Sequence, residues 1–135
     1  MTQENNYLHS ELSNIILKAF YNVYNTLGYG FLEKVYENAM IIELKKLGLS
    51  CNSQLPIDVF YENYKVGNYF ADIVVEDKII LELKAAEAIY EEHEFQLINY
   101  LKATDMEVGL LLNFGKKPEH KRKVLTNDFK NHNKL

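Results

Sequence analysis

The chain has 135 residues, 47% of them hydrophobic and 25% charged, which is typical of one ordinary folded domain and not of a disordered protein. Its single cysteine, Cys51, excludes an internal disulfide framework and a cysteine-based zinc cluster. The sequence has no recognisable signal peptide and no apolar run of roughly 18 residues, so we expect a cytoplasmic protein with no membrane partner. Its net charge of −4 argues against nonspecific coating of nucleic acid.

Two helices are predicted first. Ser10 caps a helix that Gly28 ends, and a second helix runs from about Phe31 to Leu47. The link between them is short, so we expect the two helices to pack side by side. The predicted buried stripes are Leu12, Ile15, Ile16, Ala19, Phe20, Val23 and Leu27 in the first helix, and Leu32, Val35, Ala39, Ile42 and Leu47 in the second.

Three strands are predicted next. An extended run from Ile57 to Tyr61 precedes a hairpin turn at Glu62-Asn63. Two further strands, from Tyr64 to Val75 and from Ile79 to Ala85, flank a loop at residues 76–78.

A helix from about Glu91 to Ala103, with Phe95, Ile98 and Leu101 on its buried face, leads to an apolar strand from Val108 to Phe114. The order α, α, β, β, β, α, β predicts an α/β fold of the mixed α+β kind, with helices packed on a central mixed four-stranded sheet. The basic end of the chain has room for one short strand near Val124. We expect one domain over residues 1–135, with a core at about 10–125 and a flexible tail at 126–135.

Charged residues interrupt two otherwise apolar strands. Glu82 and Lys84 share one strand face with Ile80, because side chains alternate along a strand. If the loop holds three residues, Asp72 lies opposite Glu82, with the two Cβ atoms about 5 Å apart. Facing carboxylates repel, and a divalent cation would neutralise both. The pattern is therefore compatible with a metal site.

Two alternatives remain open at this point. Lys84 could form a simple salt bridge with one acid at a sheet edge, which requires no metal. A two-residue turn would send Asp72 and Glu82 to opposite faces and remove the site.

Several motifs carry a resemblance to a known family. Asp72, nine residues, then Glu82-Leu83-Lys84 resembles the D…(D/E)-x-K signature of the PD-(D/E)XK nuclease superfamily, with Ala71 in place of the proline. Gly30 to Tyr36 reads G-x-x-E-x-x-Y, similar to the GxxExxY family, and Gln96 to Tyr100 reads Q-x-x-x-Y, similar to RecB-like exonucleases. At the end of the last predicted strand, Asn113-Phe114-Gly115 also resembles the ending of the GxxExxY family. The resemblance covers about residues 10–125 and implies a restriction-endonuclease-like core.

The resemblance implies a metal site and its chemistry. Mg²⁺, or Mn²⁺, would be held by Asp72, Glu82 and the main-chain carbonyl of Leu83, with Glu33 as a direct or water-mediated ligand. Lys84 and Gln96 would complete the catalytic set with the two acids.

Glu33 also has a structural interpretation, since a carboxylate is favoured at a helix N-terminus. Glu33 and Glu37 lie one turn apart and repel each other, which indicates that at least one has another role.

Five residues are predicted to bind substrate. Tyr36 and Tyr100 are assigned by the motifs, with core packing as the alternative for each. His93 shares a helix face with Gln96, and H-E-x-x-H is excluded because position 97 is leucine. Lys121 and Arg122 lie in a basic segment, residues 116–135, that either contacts phosphates or is merely solvated.

The resemblance and the acid pair together predict a metal-dependent nuclease that hydrolyses phosphodiester bonds of nucleic acid, with DNA as the expected substrate. A homodimer would be compatible with this function. The first alternative is a catalytically inactive nuclease-fold module that binds nucleic acid or a protein partner. The second is a structural interaction domain with an edge-strand interface.

Overall fold

A computed structural model of the protein describes residues 7–133. Four helices and five strands follow one another along this part of the chain. They are α1 Ser10–Leu27, α2 Glu33–Lys46, β1 Cys51–Tyr61, β2 Tyr64–Val75, β3 Ile79–Lys84, α3 Glu91–Lys102, β4 Val108–Phe114, β5 Pro118–Val124 and α4 Asn127–Asn133.

The five strands form one mixed sheet in the order β1-β2-β3-β4-β5. Strands β3 and β4 are parallel, joined by the α3 crossover, and the other neighbouring pairs are antiparallel. The mixed α+β architecture is confirmed, and the strand count is one higher than predicted. The additional strand is β5, whose sequence is so charged that it resembles a solvated tail. An edge strand tolerates such charge because one of its sides faces water.

Helices cover both faces of the sheet. Helices α1 and α2 pack on one face, where Phe20, Tyr36, Leu81, Leu110 and Phe114 belong to one buried cluster. Helix α3 packs on the other face, where its Leu97, Tyr100 and Leu101 meet Ile80 and Leu111. Strand β4 is buried along its whole length, as the apolar sequence predicts. The central strands are thus shielded from water on both sides.

The buried face of α2 differs from the prediction. Leu32 and Ile42 are exposed, whereas Tyr36, Met40 and Leu44 are buried. Apolar residues surround this helix, so periodicity does not single out one stripe. Its packing follows Tyr36, whose hydroxyl donates to the Gly28 carbonyl oxygen at 2.8 Å and accepts from the Phe31 N–H at 3.2 Å.

Helix α3 is also rotated relative to the prediction. Leu97 and Tyr100 are buried beside Leu101, while Phe95 keeps 59% of its surface exposed. The close approach of α3 to the sheet depends on Gly109, where an added Cβ would lie 2.6 Å from a methyl carbon of Leu97.

The end of the chain contributes a short helix. The predicted tail at residues 126–135 contains α4, where the Lys130 ammonium donates to the carbonyl oxygens of Thr104 at 2.8 Å and Met106 at 2.6 Å. Residues 134 and 135, and residues 1–6 of the predicted domain, lie outside the described residues. Within residues 7–133, none of the helices combines the length and apolar character that a membrane span requires.

Candidate metal and catalytic site

The turn between β2 and β3 sets the register that the site needs. Three residues separate the strands, and Val75 pairs with Ile79 and Ile73 with Leu81. Asp72 and Glu82 are the next positions along the two strands, where the regular pairing ends. The predicted three-residue turn and its register are confirmed, and the alternative of a two-residue turn is wrong.

At these positions two backbone N–H groups donate to carboxylate side chains of the facing strand, and not to its carbonyl oxygens. The Asp72 N–H donates to Oε2 of Glu82 at 2.9 Å, and the Leu83 N–H donates to Oδ2 of Asp72 at 2.8 Å. Each acid therefore holds the backbone of the opposite strand. We call this arrangement the crossed acid pair.

Burial and mutual repulsion dominate the electrostatics of the crossed acid pair. Glu82 is only 3% exposed, and burial, followed by the nearby charge of Asp72, raises the pKa of Glu82 to about 8. Burial also raises the pKa of Asp72, and this outweighs the opposing effect of the Leu83 N–H bond. In this fold the two acids resist carrying two negative charges without a cation.

Lys84 does not supply that cation through direct contact. Its ammonium donates to the side-chain oxygen of Gln96 at 3.3 Å, and among the described residues it makes no ion pair with either acid. Strand β3 is moreover the middle strand of the sheet and not an edge. The salt-bridge alternative therefore does not describe this site.

Tyr100 lies beside the crossed acid pair. It is 6% exposed, and burial, followed by the charges of Glu82 and Asp72, raises the pKa of Tyr100 to about 12. Its ring centroid lies 5.7 Å from that of Tyr69 on β2. The hydroxyl is thus a neutral group at neutral pH, able to donate a hydrogen bond at the site.

The ligand atoms fit a hard divalent cation. The crossed bonds use one oxygen of each acid, and in the described part of the chain no hydrogen bond reaches Oδ1 of Asp72 or Oε1 of Glu82. Among the side chains that the structure describes, no three His, Cys, Asp or Glu are grouped so that they could hold one ion. Mg²⁺ is commonly bound by one or two carboxylates and keeps several waters, so a two-carboxylate set is sufficient.

Glu33 is near this site without joining it. It is exposed at the first position of α2, and its charge contributes to raising the pKa values of both Asp72 and Glu82. The structure thus brings Asp72, Glu82, Lys84 and Gln96 together and leaves Glu33 at the periphery.

Glu37 is a residue of this region that the sequence analysis did not assign to the site. It is buried on α2, its charge raises the pKa of Asp72, and it accepts hydrogen bonds from Lys34 at 3.1 Å and Gln54 at 3.0 Å. Gln54 has a φ of 53°, in the left-handed region, and interrupts β1 at the position opposite Asp72. The repulsive spacing of Glu33 and Glu37 was the only sequence signal for this contact.

Asn113 holds the chain just beyond Lys84. It is fully buried and makes two hydrogen bonds to Ala86, accepting from its N–H at 2.9 Å and donating to its carbonyl oxygen at 3.0 Å. The first residue of the Asn113-Phe114-Gly115 motif therefore has a positioning role, because it fixes the exit of the strand that carries Lys84.

Two other predicted residues serve local structure. Tyr36 has no exposed surface and stacks on Phe114 at a centroid distance of 4.2 Å, so the core alternative describes it and a substrate cannot reach it in this structure. His93 accepts a hydrogen bond from the Tyr90 N–H at 3.1 Å at the start of α3.

The basic residues of β5 point to opposite faces of the sheet. Lys121 and Lys123 form ion pairs with Glu94 on α3, whereas Arg122 donates to the Leu8 carbonyl oxygen at 2.6 Å and lies over the Tyr7 ring. Lys121 and Arg122 therefore do not form one cluster in this structure, and substrate binding by either residue stays a prediction. Alternation along a strand separates neighbours that would lie together in a flexible tail.

Comparisons with known proteins agree with this architecture. A family model described as the PD-(D/E)XK nuclease superfamily matches residues 10–124. A solved structure, that of the protein SSO0001, has a TM-score of 0.56 and 18% sequence identity, and the match covers 91% of this chain and 62% of that one. That similarity concerns the fold alone, and this chain spans less than two thirds of the other protein. A search of curated proteins gives no match.

The family model covers both acids, Lys84 and Gln96, and supports a nuclease-type function. This chain belongs to the PD-(D/E)XK nuclease superfamily.

Proposed function

We propose that the protein is a metal-dependent nuclease that hydrolyses phosphodiester bonds, with DNA as its substrate and Mg²⁺ as its ion. The observation that carries this proposal is the crossed acid pair, in which the buried Glu82 and the partly buried Asp72 each accept a hydrogen bond from the backbone of the facing strand. A structural pair of this kind is costly because each charge raises the energy of the other. A cation bound between the two carboxylates would neutralise this repulsion, and the repulsion therefore favours cation binding.

The ion would be held by Asp72, Glu82 and the main-chain carbonyl of Leu83, with Glu33 acting through water. When bound, it supplies a water of lowered pKa and a positive charge beside the phosphate. The protein contributes the orientation of the ligands, because both acids are fixed by backbone N–H groups of the facing strand. Such preorganised charge needs no rearrangement during the reaction.

Lys84 is assigned to the substrate or the attacking water, and Gln96 positions it. The bond between them keeps the Lys84 ammonium away from the carboxylates, where it remains a free charge for the substrate. We assign it to a phosphate oxygen or to the attacking water, where it stabilises developing negative charge. Tyr100, neutral at neutral pH, would donate a hydrogen bond on the same side.

Cleavage assays test this function directly. The full chain is incubated with single-stranded, duplex and branched DNA and with RNA, in Mg²⁺, Mn²⁺ or EDTA. We expect metal-dependent cleavage that falls at least about 100-fold in Lys84→Ala, since a charge aimed at the transition state is lost. The matched control is Lys78→Ala, which removes an exposed lysine in the turn before β3.

Two results would refute the proposal. One is cleavage that persists in EDTA, and the other is equal activity of Lys84→Ala and the wild type. Nucleic-acid binding without cleavage under every metal would instead favour the inactive-module alternative. The mass of the protein in solution, alone and with DNA, tests the proposed homodimer.

A further inference from the structure

A groove lies directly beside the crossed acid pair, between the β1–β2 hairpin and α3. Its volume is about 770 Å³, within the range of sites that enclose small organic groups. Gln96 and Tyr100 line it, and these are the residues that contact Lys84 and adjoin the two acids. One wall of the groove is therefore also a wall of the candidate catalytic site.

Exposed aromatic rings dominate the rest of the lining. Phe60 on β1 is 60% exposed, Tyr69 on β2 is 49% exposed and Phe95 on α3 is 59% exposed. Three water-accessible rings from three different elements therefore converge on one groove. Such rings offer flat apolar faces without closing the groove.

The charges of the groove do not suit a phosphate. Its charged lining residues are Asp58, Glu92 and Lys102, with a formal charge of −1, and Asp58 also forms an ion pair with Lys65 at 3.2 Å. Hydrogen-bonding amides are available from Gln96 and Asn99. Aromatic faces with amide and carboxylate groups match a nucleobase, which has a π-face and polar edges but no charge.

We propose that this groove binds an unpaired base of the strand whose phosphate lies at the crossed acid pair, stacked on Phe60, Tyr69 or Phe95. The inference rests on the proposed nuclease function and narrows its substrate to strands with unpaired bases near the cleaved bond. The groove volume of about 770 Å³ is in the range that encloses one small organic group, so we assign it to a single base and not to a duplex. The base is taken out of its stack, as in other proteins that read or process single bases.

Binding of strands with a single abasic nucleotide tests the groove. The probe is a single-stranded DNA of about 12 nucleotides, and its affinity is measured in Ca²⁺ so that binding is read separately from cleavage. An abasic nucleotide is placed at each position in turn. We expect one or two adjacent positions to cost about 5-fold to 150-fold in affinity, which is the usual loss when one stacked base is removed.

Protein variants complete a double-mutant cycle with these strands. Phe95→Ala should weaken binding of the intact strand by a similar factor and have little effect on the strand that lacks the sensitive base. Phe60→Ala gives a second probe on a different element. The matched control is Tyr64→Ala, an aromatic residue of the same hairpin that is 76% exposed and does not line the groove. All three side chains are exposed, so the fold should tolerate these changes.

Each failure has its own signature. Equal losses on intact and abasic strands, or an equal loss in the Tyr64→Ala control, would overturn the base-binding proposal. A wild-type dimer that Phe95→Ala converts to monomers would overturn it too, and would make the groove an interface between copies. Cleavage without base dependence would leave the nuclease function intact and remove the groove proposal. Base-dependent binding without cleavage under any metal would uphold the groove and refute the nuclease function.

Discussion

Replacing Glu82 by glutamine should change the stability of the metal-free protein in a pH-dependent way. Glu82 is 3% exposed and lies against Asp72, and its pKa is about 8 in the folded chain, compared with an ordinary value of 4.5. Between these two pH values the folded state binds a proton that the unfolded state has lost. Glutamine keeps the shape of the side chain and a hydrogen-bond acceptor, but it has no carboxyl group that can gain or lose a proton.

The sign follows from proton linkage. A raised folded-state pKa gives stability that is fully present below about pH 4.5 and is lost as the pH rises toward 8. One such proton corresponds to about 1.4 kcal/mol of unfolding free energy per pH unit within this window. Since part of the shift comes from Asp72, which titrates with its neighbour, we expect a total loss on the order of 3 to 5 kcal/mol by pH 8.5.

Urea unfolding in EDTA at several pH values between 5.5 and 8.5 measures this effect. The chain has no tryptophan, so the transition is best followed by circular dichroism at the helix band. Wild type should lose stability across the window relative to Glu82→Gln, and the variant should be the more stable protein at pH 8.5. All other ionisable groups are common to both proteins, so their contribution largely cancels in the difference.

Glu76→Gln is the matched control. The Glu76 carboxylate accepts from the N–H of Ser50 at 2.6 Å and from its hydroxyl at 2.9 Å, and these bonds lower the pKa of Glu76. A lowered pKa gives stability that is lost only as the pH falls toward acid, so this variant should differ from wild type by a constant amount above about pH 5.5. A raised pKa of Glu82 is contradicted if Glu82→Gln is the less stable protein in EDTA at pH 8.5, or if its difference from wild type does not change with pH.

Three further predictions concern the metal, the basic strand and the positioning of β3. About 10 mM Mg²⁺ with a dissociation constant of about 1 mM should raise the melting temperature of the wild type by roughly 3–6 °C, whereas no shift in a thermal melt would contradict a metal site. Glu94→Gln frees Lys121 and Lys123, so DNA binding should tighten and log K should fall more steeply with log salt, by up to about one unit of slope for each lysine that then reaches a phosphate. Asn113→Leu leaves the N–H and carbonyl of Ala86 unpaired and should cost about 2 kcal/mol or more in chemical unfolding, while a loss near zero would exclude the positioning role.

The candidate site was predictable because strand alternation and turn length leave little freedom. Once residues 76–78 are taken as the turn, the register pairs Ile73 with Leu81 and brings Asp72 and Glu82 to the next positions along the two strands. The apolar strand β4 was predictable for a related reason, since a run of apolar residues is compatible only with cover on both faces.

The less predictable features depend on contacts between distant parts of the chain. The buried face of α2 is set by Tyr36 packing on Phe114, and no local pattern marks that choice. The left-handed Gln54 is held by Glu37 from another element. Strand β5 looks like a solvated tail until its pairing with β4 is known, because its charged residues alternate between Glu94 on one face and the Leu8 carbonyl on the other.

The crossed acid pair also makes two backbone amides sensitive to the state of the site. In a regular ladder the N–H groups of Asp72 and Leu83 would donate to neutral carbonyls, but here each donates to a carboxylate oxygen. Proton loss or ion binding at those carboxylates changes the polarisation of the two N–H bonds, and hence their proton chemical shifts. In a spectrum of the ¹⁵N-labelled protein these two resonances should move together during a titration with ions or pH, whereas amides of the ladder between Ile73 and Leu81 should stay in place.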